Sequence, residues 1–295
     1  MATRDELRGE AKRELARREL ARRDFWDFCR YVLPMYPVAQ HLKVLAKHLQ
    51  QVERYLETEG REGVGRLMVN LPPQYWKSTT ATVLFPAWLL GKHPEKRGIV
   101  TGYNASLAVG FSRRARDVVE SEAYRRIFGD LAGLDRVIQL DRESRSAETW
   151  GLDGFFGGLS AAGVGGGITG KTAHFMIIDD PHKDRADAES ELSREAIWQW
   201  YASAVYTRLQ KGSPIIVIQT RWHSDDLSGR LLKAMADNPL ADRWTVLSMP
   251  AIAPEIEQNA PADWRQNDGM AEMPVREQLK WGETAWTETE PTQAD

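Results

Sequence analysis

The sequence predicts an α/β protein, a mostly parallel sheet flanked by helices and preceded by an N-terminal helical segment. Two observations predict it. Short apolar runs rich in β-branched residues recur along the chain and alternate with helical patterns, which implies parallel strands covered on both faces. The residues with chemical potential stand at the carboxyl ends of those runs: Lys77 and Ser78, Tyr103 and Asn104, Asp179 and Asp180, Thr220 and Arg221. Open parallel sheets bind their ligands at that edge.

In chain order, residues 5–30 read as helix, because RRELARREL-type spacing supplies good helix formers and a charged surface. A second helical stretch runs from about residue 38 to 55. The expected strands are residues 66–71 (RLMVNL), 98–101 (GIVT), 174–178 (HFMII), 214–219 (PIIVIQ) and 244–248 (WTVLS). Residues 111–128 read as a helix with Phe111, Ala115, Val118, Val119 and Ile127 on one face. The glycine-rich stretch 151–170 reads as a loop. After residue 250 the chain turns acidic and proline-punctuated without a sustained period, so residues 251–295 read as a mobile tail with a short helix near residues 275–280. The expected division is therefore a helical segment over 1–60, the α/β domain over 61–250 and the tail.

Composition narrows the function classes. The 295 residues contain no apolar run long enough to span a membrane, and the charged start MATRDELRGEAKRELARREL has no secretory apolar region. Cys29 is the sole cysteine, which excludes an intrachain disulfide and a cysteine zinc cluster. These features predict a cytoplasmic protein with no membrane partner. The net charge of −3 is uneven: residues 251–295 carry ten acids and three bases, a balance of −7 that leaves residues 1–250 at +4. Because DNA attraction depends on where charges cluster, the sum decides neither for nor against nucleic acid.

Two segments compete as a phosphate loop. Residues 165–172 (GGGITGKT) match G-x-x-x-x-G-K-[ST], but that motif cradles phosphate only between a strand and a helix. The residues after it, AHFMIIDD, form a strand, and FFGGLSAAGVG before it is a poor strand. This segment is expected to be a connection and Lys171 a residue outside the phosphate loop. Residues 71–78 (LPPQYWKS) fail the pattern, yet RLMVNL leads in and the helical TTATVLFPAWLL leads out, kinked or shortened by Pro86. Lys77 would then reach the β- and γ-phosphates and the Ser78 hydroxyl would ligate Mg²⁺. Taken alone, the segment fits an ordinary strand–loop–helix corner equally well. The balance tips downstream, where the buried strand MIIDD ends in two acids. An NTPase needs such a strand, with Asp179 holding Mg²⁺ through water and Asp180 orienting or deprotonating the attacking water.

With these residues in place, the chain over about 20–250 resembles the large subunit of phage terminases, the motors that package DNA. The matching stretches are RLMVNLPPQYWKS, GYNASLAVGFSRRARDVVESEAYRRIFG, GGGITGKTAHFMIIDDP, DAESELSREAIWQWYASAVYTRL and IIVIQTRWHSDDLSGRLL. The resemblance implies a P-loop NTPase fold of the ASCE type, with ATP and Mg²⁺ as cofactors and double-stranded DNA as the translocated substrate. It also implies a portal protein and a small terminase subunit as partners and a homo-oligomeric ring as the active assembly. Carried over, Lys77 and Ser78 match the Walker A lysine and hydroxyl within an ATP-binding set of Pro73, Gln74, Tyr75, Trp76, Lys77, Ser78 and Thr79. Asp179 matches the Walker B aspartate, and Asp180 stands where many relatives carry the catalytic glutamate. Thr220 and Arg221 match the segment that couples hydrolysis to movement, with Arg221 also counted as catalytic beside Lys77 and Asp180. Gln40 resembles the upstream glutamine that reads adenine.

Three departures bear on this reading. Gln74 stands where the family places a loop arginine, so that charge would have to come from elsewhere, for example a neighbouring subunit. Trp76 replaces the glycine before the lysine. If the loop needs positive φ there, a non-glycine residue costs on the order of 1–2 kcal/mol. The family's nuclease domain has no room in this chain, so cleavage is not expected.

Other residues admit blander readings. Arg113, Arg114, Arg116, Arg125 and Arg126 give one helix a basic face, which reads as a solvated face or as a surface for DNA or a neighbour. His223 with Asp225 and Asp226 is a weak metal set, and Trp198 and Trp200 read as helix packing. Two classes of function remain: an ATP-driven translocase, or a degenerate module that docks on a portal or DNA without turnover. A superfamily-2 helicase would need a second motor domain that this length does not hold.

Overall fold

The computed structural model describes residues 3–129, 137–168, 170 and 172–249. Strands β1 (Arg66–Asn70), β2 (Arg97–Gly102), β3 (Leu140–Arg145), β4 (Thr149–Leu152), β5 (Gly158–Gly163), β6 (Phe175–Asp179), β7 (Ile215–Gln219) and β8 (Thr245–Ser248) join into one sheet. Its spatial order is β3-β4-β5-β2-β6-β7-β1-β8. The run from β5 to β8 is parallel, and β4 and β3 add an antiparallel edge. This is the expected α/β architecture.

Side chains alternate between two cores, as strand geometry requires. Leu67, Val69, Val100, Ile177, Ile216 and Ile218 face one layer of helices, and Met68, Ile99, Met176, Ile178, Ile215 and Val217 face the other. The first layer holds α1 (Arg4–Arg23), α2 (Phe25–Val32), α3 (Gln40–Glu57), α4 (Phe85–Lys92), α5 (Ala105–Glu120) and α6 (Glu122–Phe128). The second includes α8 (Glu191–Trp200) and α9 (Leu227–Asp237), with the short α7 (Arg185–Glu189) leading in. Phe25 meets Phe85 edge-on at 5.4 Å, and the Trp88 indole N–H donates to the Ala21 carbonyl at 3.1 Å. The N-terminal helices thus share one apolar core with the sheet.

The structure corrects four local expectations. The helix expected over 5–30 breaks at Asp24, whose extended backbone and side-chain bond to the Asp27 N–H start a new helix. The helix expected over 111–128 breaks in the same way at Ser121, which caps α6 through the Tyr124 N–H. The edge strand β3, LDRESR, was hidden by its charge, since one face of an edge meets solvent. The stretch 151–170 is not a loop throughout: β4 ends in it, and GLSAAG forms β5 beside β2. Small residues suit β5 because its neighbours approach closely. A Cβ on Gly158 would lie 2.3 Å from the Trp150 carbonyl, and one on Gly163 would lie 2.6 Å from the Ala105 nitrogen. Such a strand carries no β-branched signature. The expected tail and its short helix lie outside the described residues, as does Lys171.

Pro86 shapes the way out of the first loop. It has no N–H, and its ring would crowd the carbonyl four residues back in an α-helix. Residues Thr79–Leu84 widen into a π-helical segment instead, closed by the Phe85 N–H on the Thr80 carbonyl, before α4 begins.

Candidate nucleotide-binding site

The strand order builds the site. Because β7 lies between β1 and β6, the carboxyl ends of all three sit side by side, with Asn70 opposite Gln219 and Asp179 opposite Ile218. The loop 71–78 leaves β1, Asp180 follows β6, and Thr220 follows β7. The Lys77 ammonium lies 3.1 Å from Asp180 Oδ2 and donates to Thr220 Oγ1 at 3.0 Å. The Thr220 backbone N–H donates to Asp180 Oδ1 at 2.8 Å, and Asp180 itself sits at φ +43°. One lysine therefore ties together residues distant in sequence.

Asp179 points the other way from its neighbour Ile178, onto the side of the sheet that carries the π-helical segment. Ser78 Oγ donates to its Oδ1 at 3.0 Å, and the Thr82 hydroxyl donates to its Oδ2. Asp179 is fully buried, and burial and the adjacent Asp180 carboxylate push its carboxyl upward, against the Thr82 bond, the Lys77 charge and the Ser78 bond. A hydroxyl and a carboxylate at this spacing are hard oxygen donors of the kind Mg²⁺ takes when phosphates complete its shell, so the residues present fit that ion. Thr82 escaped the sequence reading. It stands one helical turn beyond Ser78, a spacing that places two side chains on one face and was legible in principle.

The loop itself is strained. Gln74 has φ +67° and Trp76 has φ +60°, both in the left-handed region where a Cβ is unfavourable. The condition set for Trp76 is met. Its indole turns outward, 38% exposed, against the Tyr36 ring at 5.9 Å, edge to face. Tyr36 shares a hydrogen bond of 2.7 Å with Thr80 Oγ1, so the connection between α2 and α3 braces the C-terminal end of the loop and the start of the π-helical segment. Pro73 is exposed and Tyr75 half-buried; the Tyr75 ring lies 5.5 Å from that of His41. Gln40, buried at the first position of α3, stands next to His41 and so close to the loop in the chain's path. Thr79 accepts a hydrogen bond of 2.9 Å from Arg114 Nη2 on α5, a contact that no local sequence pattern signals.

Arg221 is not part of this cluster. Its Nε donates to Asp226 Oδ2 at 2.8 Å, and Asp226 caps α9 through the Gly229 N–H. Asp225 pairs with Arg194 and Arg230 at 3.1 and 2.9 Å, so His223, Asp225 and Asp226 serve ion pairs and turns. Among the described residues no group of three or more His, Cys, Asp or Glu is placed to hold a metal ion. Trp200 is buried in the second core and Trp198 stacks on Tyr201 at 6.0 Å. The competing segment 165–172 is preceded by a strand, contrary to expectation, but β6 follows it and no helix does.

An open α/β sheet with a lysine–hydroxyl loop, paired carboxylates and a polar threonine at three adjacent strand ends defines a class of domain whose polar groups gather at the edge where such sheets bind ligands. Residues 68–288 match the family described as terminase large subunit, T4likevirus-type, N-terminal. The match spans well over half of the chain, which belongs to the terminase large-subunit family. In its fold the chain is similar to the HK97 bacteriophage large terminase, at 13% identity and a TM-score of 0.41, over 71% of this chain and 40% of that one. The chain thus spans about two-fifths of the length of that protein. No curated protein matches it. Among the described residues no helix is long and apolar enough to cross a membrane.

Proposed function

We propose that this chain is the ATPase motor of a phage DNA-packaging terminase, hydrolysing ATP with Mg²⁺ to drive double-stranded DNA into a capsid. The observation that carries the reading is the convergence of Lys77, Ser78, Asp179, Asp180 and Thr220 at three adjacent strand ends. Lys77 would hold the β- and γ-phosphates, with the backbone of residues 73–79 around them and Gln40 toward the base. Ser78 and Asp179 would hold Mg²⁺, whose charge stabilises the transferred phosphoryl oxygens. Asp180 would orient or deprotonate the attacking water, its carboxylate held at the site by Lys77 and the Thr220 N–H. Thr220 and Arg221 would pass the change at the site to α9, through the Arg221–Asp226 pair that caps that helix. A portal protein, a small terminase subunit and a ring of like chains in the bacterial cytoplasm complete the proposed setting.

Two observations favour a second reading, a docking module without turnover: two non-glycine residues in the loop carry positive φ, and the loop has no arginine. Steady-state ATP hydrolysis with Mg²⁺, with and without duplex DNA, separates the two. The motor reading expects turnover that DNA stimulates and that Asp179→Ala abolishes with the fold intact. Turnover unchanged in a folded Asp179→Ala protein removes the site assignment, and no turnover in the wild type favours the docking module.

A further inference from the structure

We infer that Arg114 is a nucleotide-binding residue, contacting the α-phosphate end of the polyphosphate from outside the phosphate loop. The inference rests on the nucleotide-site reading above and adds to it a residue that the motif residues do not include. The loop 71–78 contains one cation, Lys77, and its ammonium lies against Asp180 and Thr220. Lys77 and the proposed Mg²⁺ serve the β- and γ-phosphates, which leaves the α-phosphate without a cation of its own, and Gln74 supplies none.

Arg114 stands where a second charge is wanted. It projects from α5 across to the first residue after Ser78, with Nη2 2.9 Å from the Thr79 hydroxyl. A guanidinium has five N–H donors, and a neutral hydroxyl satisfies one. Among the described residues no carboxylate pairs with Arg114. Of the five arginines of this face, Arg116 is bound to the Arg145 carbonyl and Asp117, Arg125 to the Glu120 carbonyl and Arg126 to Glu122, and among the described contacts Arg114 alone reaches residues 73–79. Arg114 is also held by a rigid support. Its helix is capped by Asn104 and fixed to the sheet edge where the Trp150 indole N–H donates to Ser112, with Oγ at 3.0 Å.

The position selects the phosphate. In a phosphate loop the lysine reaches the β- and γ-phosphates and the hydroxyl residue serves the metal, so the N–H groups beyond them face the α-phosphate. A cation seated at Thr79 therefore meets a group that ATP and ADP share and that does not change charge in the reaction. Such a contact strengthens ground state and transition state alike, so it acts on KM and leaves kcat nearly unchanged.

The test is the Kd of Mg–ATP and of Mg–ADP for the wild type, Arg114→Ala, Arg114→Lys and Lys77→Ala, with kcat, KM and duplex-DNA affinity measured on the same proteins. Arg114→Ala is expected to weaken ATP and ADP equally, by about tenfold, with kcat within about threefold of wild type; Arg114→Lys recovers part of the loss. Arg114 is exposed, so the fold survives, and unchanged unfolding midpoints check this. Loss of ATP affinity alone, a fall in kcat at constant KM, or unchanged nucleotide affinity with weakened DNA binding each overturns the assignment. Binding lost in Lys77→Ala but unaltered in Arg114→Ala overturns it while the ATPase reading stands. A wild type that binds neither nucleotide sinks that reading and this assignment together.

Discussion

The Lys77 ammonium lies 3.1 Å from Asp180 Oδ2, although the two residues belong to different strand ends and are separated by β7 in the sheet. At that distance inside a crevice the attraction is strong, and Lys77 is only 5% exposed. The pair places the proposed phosphate-binding cation and the proposed water-orienting acid in one geometry, so a change at either should be felt at the other.

Lys77→Ala should lose measurable ATP binding, whereas Lys171→Ala should retain it. Lys77 follows β1 and precedes the π-helical segment, and residues 165–172 lead into β6. A nucleotide titration showing the reverse would make residues 165–172 the phosphate loop.

Asp179→Asn should change how stability depends on pH. Burial raises the Asp179 carboxyl in the folded protein above its unfolded value of about 3.9, so the folded state holds a proton that the unfolded chain releases. That contribution is complete below about pH 4 and is lost as pH rises through the raised folded value. The asparagine variant lacks it and should gain on the wild type toward neutral pH, by on the order of 1–3 kcal/mol. Urea unfolding without Mg²⁺ measures the difference, and two parallel pH profiles would contradict the raised carboxyl.

Thr82→Val should destabilise the protein by about 1–3 kcal/mol, since it leaves a buried carboxylate oxygen without its donor. Thr82→Ser keeps the hydroxyl and should cost less. Thr82 is fully buried, so the order is informative: if serine proves worse than valine in denaturant unfolding, the position needs the methyl group and not the bond.

Trp76 offers a measure of the loop's strain. At φ +60° glycine is favoured over alanine, so Trp76→Gly should be more stable than Trp76→Ala by about 1 kcal/mol. Both lose the edge contact with Tyr36, which the comparison cancels. With the indole turned outward, Trp76→Gly should also bind ATP at least as tightly as the wild type. Weaker binding and slower turnover in the glycine variant would mean that the indole is a working part of the site.

Much of this protein was written locally in its sequence. The strands β1, β2, β6, β7 and β8 were legible because each is a run of apolar residues buried on both faces, and such runs have few other places to go. Asp179, Asp180 and Thr220 were legible because they end or follow such runs, and Lys77 and Ser78 because they close the loop that leaves one, so all stand at the carboxyl edge of the sheet. Only the tertiary structure decided the rest. Strand order is not encoded within any one strand, so that β7 inserts between β1 and β6, and Lys77 thereby meets Asp180 and Thr220, could be learned only from the assembled sheet. The strand β5 stayed hidden because its glycines and alanines answer to the close approach of Trp150 and Ala105, a demand set by neighbours and not by propensity. Arg114 and Thr79 lie 35 residues apart, and their contact follows from how α5 packs on the π-helical segment. The sequence supplied the chemical groups, and packing chose which of them meet, because distance in space is settled by the whole core at once.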